Sequence, residues 1–309
     1  MTRSKVAVTD ELLDAYVNRP LAGYVVRAVE RTQITPNQLT LMSGLCGTAA
    51  AVALMSPFAF APLAGAVCLL LSMIFDCSDG QLARLRGGGS VSGRIFDGYV
   101  DYWVAILLHA GMLISLGRSG VVVFGHTFSA LERLLLVLAA GISMGINAGR
   151  FDHYKLRYLA HTGAARDPEN PQMFLDEAKR SRWLIVKAAL HLFAAYVRVQ
   201  QGPEFRKRVA AAKWTAADPT RVRIFAEENG PLVRLWGLTG PTMHNGAIVA
   251  FACLAPFVPQ AFAWYCAFAL VAVNVYCFVL RILQARALRR ELTESRGSGP
   301  AGGDSGVHA

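Results

Sequence analysis

Residues 58–84 read FAFAPLAGAVCLLLSMIFDCSDGQLAR. An apolar run about as long as a lipid hydrocarbon core requires of a helix, roughly 20 residues, leads straight into a polar patch carrying Asp76 and Asp79. Five more runs of similar length flank it: Gln38–Ser56, Tyr99–Leu116, Leu131–Ala148, Gly240–Val258 and Ala261–Leu283. With Phe58–Phe75 they predict an all-α, polytopic membrane protein of six spans. Composition agrees: 54% of the chain is hydrophobic and 17% charged, against about 25% charged in soluble domains. The Leu131–Ala148 and Gly240–Val258 runs carry more Gly, Asn and Ser than a lone span, so they are expected to face other helices.

The net charge of +10 fits either nucleic-acid binding or the basic cytoplasmic surface of a membrane protein. The apolar runs decide for the membrane and against nucleic acid. Six spans place both ends on one side. With the N-terminus cytoplasmic, 29 of the 31 Lys and Arg fall inside, leaving only Arg118 and Arg133 outside. Leaving out the long stretch between Arg150 and Arg234, the split is still 13 to 2. Cytoplasmic termini follow.

Residues 1–35 are expected to form a cytoplasmic or interfacial N-terminal helix. Asp10–Thr32 reads as amphipathic and broken near Pro20, with Leu12, Leu13, Tyr16 and Val17 on one apolar face. The start, MTRSKVAVTDELLD, lacks the apolar core of a cleavable signal peptide. Residues 36–290 form the membrane domain, including a cytoplasmic or interfacial segment over 150–239. Within it Trp183–Val199 carries Lys187, His191 and Arg198, too polar for a span, and Arg206-Lys207-Arg208 reads as a solvated basic loop or as a contact for an anionic lipid or phosphate. Residues 291–309 form a small, polar, Gly-rich tail expected to be disordered. The six cysteines lie in or beside apolar runs, without the spacing of a zinc site or disulfide framework, and read as small buried hydrophobes.

The chemistry lies in Asp76-Cys77-Ser78-Asp79-Gly80-Gln81-Leu82-Ala83-Arg84, followed by Gly93, Asp97 and Asp101. Asp76 and Asp79 share a helix face, with Ala83 one turn beyond. Gly93, Asp97 and Asp101, spaced four apart, form a stripe on the next helix. Between them Gly87, Gly88 and Gly89 suit a tight reversal. Two neighbouring helices thus aim four carboxylates at one point near the membrane surface. Such charges resist ionising together, and inside a span they mark a functional site. A divalent cation resolves the repulsion, and an all-carboxylate set favours Mg²⁺, Mn²⁺ or Ca²⁺ over zinc. The small residues Gly80, Ala83 and Gly93 leave room for a ligand. The residues therefore point to metal-assisted chemistry on a phosphate-bearing substrate.

This pattern closely resembles the signature of the CDP-alcohol phosphotransferase family, D-x-x-D-G-x-x-A-R-x8-G-x3-D-x3-D. All eight fixed positions are present. Thr35-Pro36-Asn37-Gln38-Leu39-Thr40 is similar to the family's entry to its first span, and the resemblance covers roughly residues 30–120. The resemblance implies two ions, Mg²⁺ or Mn²⁺, ligated by Asp76, Asp79 and Asp97, with Asp101 also touching metal and serving as general base. It implies a CDP pocket formed by Gly80, Ala83, Arg84 and Gly93, with Asn37 and Thr40 toward the nucleotide. The acceptor hydroxyl attacks phosphorus and CMP leaves. The implied donor is CDP-diacylglycerol, in phospholipid biosynthesis, or alternatively a soluble CDP-alcohol. A homodimer among membrane lipids is the implied assembly. Arg86 reads as a membrane-edge anchor. His153 and His244 are candidates either to reach the acceptor or to make structural hydrogen bonds.

Many relatives with inositol-type or glycerol-phosphate acceptors have Arg directly after the fourth aspartate, whereas Asp101 is followed by Tyr102 and Trp103. The acceptor therefore stays open. A phosphorylated one would call on other cations, of which Arg150, Arg157 and Arg234 are the candidates. Two rival classes remain. A cation-coupled transporter leaves Arg84 and the glycines unexplained and lacks the repeated half common in carriers. A non-catalytic scaffold is at odds with the intact motif.

Overall fold

A computed structural model describes residues 8–89, 91–123, 125–164, 171–180 and 215–297, with isolated positions between 182 and 212. These residues are almost entirely helical. In chain order they form α1 (Arg19–Val29), α2 (Pro36–Met55), α3 (Ala61–Leu85), α4 (Val91–Ser119), a two-residue hairpin of β1 (Val122–Val123) and β2 (His126–Thr127), α5 (Ala130–His161), α6 (Pro171–Arg180), α7 (Pro219–Trp236), α8 (Pro241–Leu254), α9 (Ala261–Ala267) and α10 (Val273–Gly297). The hairpin pairs Val122 with Thr127 and Val123 with His126.

Five stretches are long and apolar enough to cross a membrane: Pro36–Met55, Ala61–Leu85, Ser92–Ser119, Ala130–His161 and Ala261–Ala287. The protein is thus an all-α polytopic membrane protein. The span expected over Gly240–Val258 is different. There α8 has 14 residues, about 21 Å at 1.5 Å per residue, against a hydrocarbon core of about 30 Å. Pro241 opens it, and Pro256 lies just past its C-cap, Ala255. A proline inside the next turn would lack a donor and clash with the preceding turn.

The N-terminal helix is continuous where a break near Pro20 was expected. Pro20 has no N–H to offer the carbonyl one turn back. The chain widens into a π-turn over Asp14–Asn18, closed by the Arg19 N–H on the Asp14 carbonyl, and runs on as α1. Ala22 and Val26 are buried, while Tyr16, Val17, Leu21 and Tyr24 form an exposed apolar stripe. At the other end α10 reaches Gly297, past the boundary expected at residue 290. Residues 298–309 of the expected tail, the run Arg206-Lys207-Arg208 and most of Trp183–Val199 lie outside the described residues.

Small residues let α2, α3 and α4 pack closely. A Cβ on Gly47 would collide with the Val104 methyls, one on Gly44 would meet Val104's neighbour Val100 at 2.9 Å, and one on Gly111 would meet the Ala51 carbonyl at 2.9 Å. In lipid, where the hydrophobic effect does not join helices, such close contact is what holds them. Ser72 adds a hydrogen bond to the Ser43 carbonyl, 2.9 Å. The two arginines left outside by the charge count have structural work. Arg118 donates to the Leu54, Met55 and Ser56 carbonyls at 3.0, 2.6 and 2.7 Å, capping α2, and Arg133 donates to Phe128 O at 3.0 Å. Both satisfy carbonyls that a helix end or turn leaves open.

Candidate active site

The turn between α3 and α4 sets the site. Gly87 and Gly88 have φ of 94° and 117°, a region that glycine enters without penalty. The Gly88 N–H bonds Ala83 O at 2.8 Å and the Gly87 N–H bonds Arg84 O at 3.3 Å, the paired closure of a Schellman motif. The reversal that follows starts α4, and because α3 and α4 both pack on α2 their aspartates meet across the space between the two helices.

Asp76, Asp97 and Asp101 offer oxygens that all lie within 4.8 Å of one another. Asp79 lies beside Asp97 but outside this trio. It is 6% exposed, and its carboxylate accepts the hydroxyl hydrogen bond of Thr40, on α2. Asp97 Oδ1 is buried with no hydrogen-bond partner among the described residues. A buried oxygen without a donor is costly, and no lysine or arginine belongs to the trio. A hard divalent cation fits this donor set, which is all oxygen. Asp76 and Asp97 are half-buried, and Asp101 has part of its residue surface exposed.

Beside the trio a cavity of about 310 Å³ is lined by Thr35, Pro36, Asn37, Thr40, Asp79, Gly80, Ala83, Arg86, Gly88, Gly89, Gly93, Arg94 and Asp97. It gathers five of the six residues expected around the nucleotide: Asn37, Thr40, Gly80, Ala83 and Gly93. Arg84 is the exception. Its guanidinium folds back over its own helix, so that a Cβ on Gly80 would meet Arg84 Nη1 at 3.3 Å. Arg86 and Arg94 line the cavity in its place. Neither belongs to the spaced motif, though Arg94 lies three residues before Asp97 and thus on its face of α4. The Thr35-Pro36-Asn37-Gln38 entry is also a capping box: Gln38 N–H donates to Thr35 Oγ1 at 3.3 Å, and Thr35 N–H donates to Gln38 Oε1 at 2.8 Å.

The N-terminal segment adds carboxylates that no motif announces. Glu11 is 5% exposed and accepts the Met243 N–H, 2.8 Å, at the first turn of α8. Its carboxyl fills the space a Cβ on Gly240 would need. Burial pushes Glu11 up to about 8, outweighing the Met243 amide. Asp14 accepts from the Thr242 hydroxyl at 3.1 Å and the Cys77 thiol at 3.6 Å. The segment before α1 thus pins α8 to α3 beside Asp76.

A second cavity, of about 440 Å³, is lined by Ile146, Gly149, Arg150, His153, Tyr154 and Arg281. Arg150 donates to Asn147 Oδ1 at 3.0 Å. The other cations considered for the acceptor lie elsewhere: Arg157 sits 5.9 Å over the Phe225 ring, and Arg234 is exposed in the last turn of α7. His244 is 3% exposed, and neither ring nitrogen has a hydrogen-bond partner among the described residues. Of the two candidate histidines, only His153 lines either of these cavities. Tyr102 and Trp103 point outward, and Trp103 Nε1 donates to Thr48 Oγ1 at 3.2 Å.

Comparison with known proteins agrees with this geometry. The sequence profile of the CDP-alcohol phosphatidyltransferase family matches residues 33–159, the stretch that holds the aspartate trio and every lining residue of the first cavity. The chain is 30% identical over 171 residues to a phosphatidylinositol phosphate synthase of Mycobacterium marinum (strain ATCC BAA-535 / M), covering 45% of this chain and 70% of that protein. The chain belongs to the CDP-alcohol phosphatidyltransferase family, and is a membrane-embedded transferase of phosphorus-containing groups.

Proposed function

We propose that the protein transfers a phosphatidyl group from CDP-diacylglycerol to a phosphorylated polyol, releasing CMP, in phospholipid synthesis. The observation that carries the reading is the convergence of Asp76, Asp97 and Asp101 within 4.8 Å beside a cavity walled by small residues. Those three, with Asp79, would hold one or two Mg²⁺ or Mn²⁺ ions. Bound there, the ions would neutralise charge developing on the diphosphate. Gly80, Ala83 and Gly93 admit the nucleotide, and Arg94 supplies positive charge at its phosphates. Asp101 takes the proton of the acceptor hydroxyl. That oxygen forms a bond to the phosphorus next to the diacylglycerol, and the phosphorus–oxygen bond to CMP breaks.

The second cavity supports an anionic acceptor. Arg150 and Arg281 face it with His153, and Arg suits a phosphate because its fork is always charged. It also lies at the right depth. Asp101 is 18 residues before the end of α4 and Arg150 is 20 residues after the start of α5. Measured from the hairpin joining them, they stand about 27 and 30 Å along neighbouring helices. The relative's name, a phosphatidylinositol phosphate synthase, agrees with a phosphorylated polyol. With α8 counted as a crossing, the charge split of the loops favours an active site, and both termini, on the cytoplasmic side, and the same reading keeps residues 1–35 as an interfacial helix ahead of one catalytic domain.

The test is CMP release by purified protein in lipid nanodiscs with Mg²⁺, CDP-diacylglycerol and inositol 1-phosphate, glycerol 3-phosphate, inositol or serine. Release that requires a phosphorylated acceptor and disappears in Asp101→Asn is the expected result. Equal release with inositol or serine would overturn the acceptor assignment, and an active Asp101→Asn would overturn the base.

A further inference from the structure

Arg86 is engaged more fully than a surface anchor would be. Its Nη1 donates to Ile34 O at 2.6 Å. Its Nη2 reaches Thr32 O at 3.0 Å, Glu30 O at 3.3 Å and Val29 O at 3.4 Å. Val29 ends α1 and Glu30 is its C-cap; Val29 O already accepts the Thr32 N–H at 2.9 Å and the Thr32 hydroxyl at 2.7 Å, and Arg86 adds a longer bond to it. Thr32 and Ile34 lie in the short link before the Thr35 cap of α2. One guanidinium therefore gathers the whole link between two helices. Its own position is set by the Schellman turn that ends α3, in which Arg86 is the C-cap.

The link leads into one wall of the first cavity, and Arg86 leaves the other. Thr35, Pro36, Asn37 and Thr40 form the α2 wall, while Gly80, Ala83, Gly88 and Gly89 form the wall at the end of α3. The walls are tied twice. Deep in the cavity the Thr40 hydroxyl bonds Asp79. At the mouth, only the Arg86 fork spans from α3 to the link among the bonds of the described residues. We propose that Arg86 is a positioning residue of the transfer reaction, a latch that holds the Thr35–Thr40 wall at its working distance from the glycine-rich end of α3. This rests on the transfer reading above. A lysine is a poor substitute, because a single ammonium cannot spread its donors over carbonyls on both sides of the link.

The latch predicts a specific kinetic signature. Loosening one wall weakens donor binding while leaving the aspartate trio in place. In Arg86→Met, KM for CDP-diacylglycerol rises on the order of tenfold and kcat stays within about twofold, since several hydrogen bonds are lost at a partly solvated site. Arg86→Lys recovers part of the loss. Amide hydrogen exchange over residues 29–36 of the full chain in nanodiscs quickens in Arg86→Met, on the order of tenfold. Inhibition by CMP and by cytidine weakens to the same degree, because the whole wall has moved. Unchanged exchange over 29–36, or a fall in kcat at constant KM, would overturn the latch. Weakened CMP binding with unaltered cytidine binding would overturn it too, by making Arg86 a direct phosphate contact. Wild-type protein that releases no CMP would sink the transfer reading alone, and the exchange data would still judge the latch.

Discussion

Replacing Thr40 by valine removes one hydroxyl and keeps the volume of the side chain. That hydroxyl serves the Asp79 carboxylate and has a second, longer contact to Pro36 O at 3.3 Å; its single proton goes to the carboxylate. Thr40 is 3% and Asp79 6% exposed, so the bond is largely shielded from bulk water. A hydrogen bond to a charged group contributes about 1.5–3 kcal/mol net, and about 1.4 kcal/mol is a factor of ten in rate. Thr40→Val should therefore lower kcat/KM for metal-dependent CMP release by about 10- to 100-fold. Thr40→Ser keeps the donor and should return to within a few-fold of wild type. The assay is CMP release against donor concentration at saturating Mg²⁺, in nanodiscs. A valine variant within threefold of wild type would refute the idea that Thr40 orients Asp79. A serine variant as slow as valine would show that the methyl, not the hydroxyl, matters.

Arg150→Met should raise KM for a phosphorylated acceptor by about 10- to 100-fold with kcat little changed, as expected for loss of a charged contact made equally in ground and transition states; steady-state kinetics with varied acceptor decide it. Glu11 is held near 8, well above its ordinary 4.5. The unfolded chain releases this proton first, so stability falls as pH rises from about 4.5 to about 8, at about 1.4 kcal/mol per pH unit. Glu11→Gln keeps an acceptor for the Met243 N–H and should flatten that slope relative to wild type, read as Tm in detergent between pH 5 and 8. Gly47→Ala presses a methyl into Val104 and should cost about 1–3 kcal/mol. Gly117→Ala, where nothing stands within 4 Å, should cost nothing, and equal Tm values for the two variants would contradict the packing argument.

The membrane class, the helical fold and the aspartate spacing were legible in the chain because each rests on local periodicity. A run such as Phe58–Phe75 has few fates other than a helix in lipid. The three-residue step from Asp76 to Asp79 and the four-residue step from Asp97 to Asp101 fix helix faces before any packing is known. The glycines at 87 and 88 announced a turn, and φ values of 94° and 117° make it. Helix length was less legible: a hydropathy pattern over Gly240–Val258 does not show where prolines stop α8.

Side-chain partners were beyond local pattern. Asp79 takes its hydroxyl donor from Thr40, 39 positions away. Arg84 lies back over Gly80 while Arg86, two residues on, spans to carbonyls 52 to 57 positions earlier. Glu11 meets an amide 232 positions away. Spacing along a helix determines which face a residue occupies. What stands opposite that face depends on how distant helices pack, and here that packing is set by small residues such as Gly44, Gly47 and Gly111, whose missing side chains allow the backbones to approach.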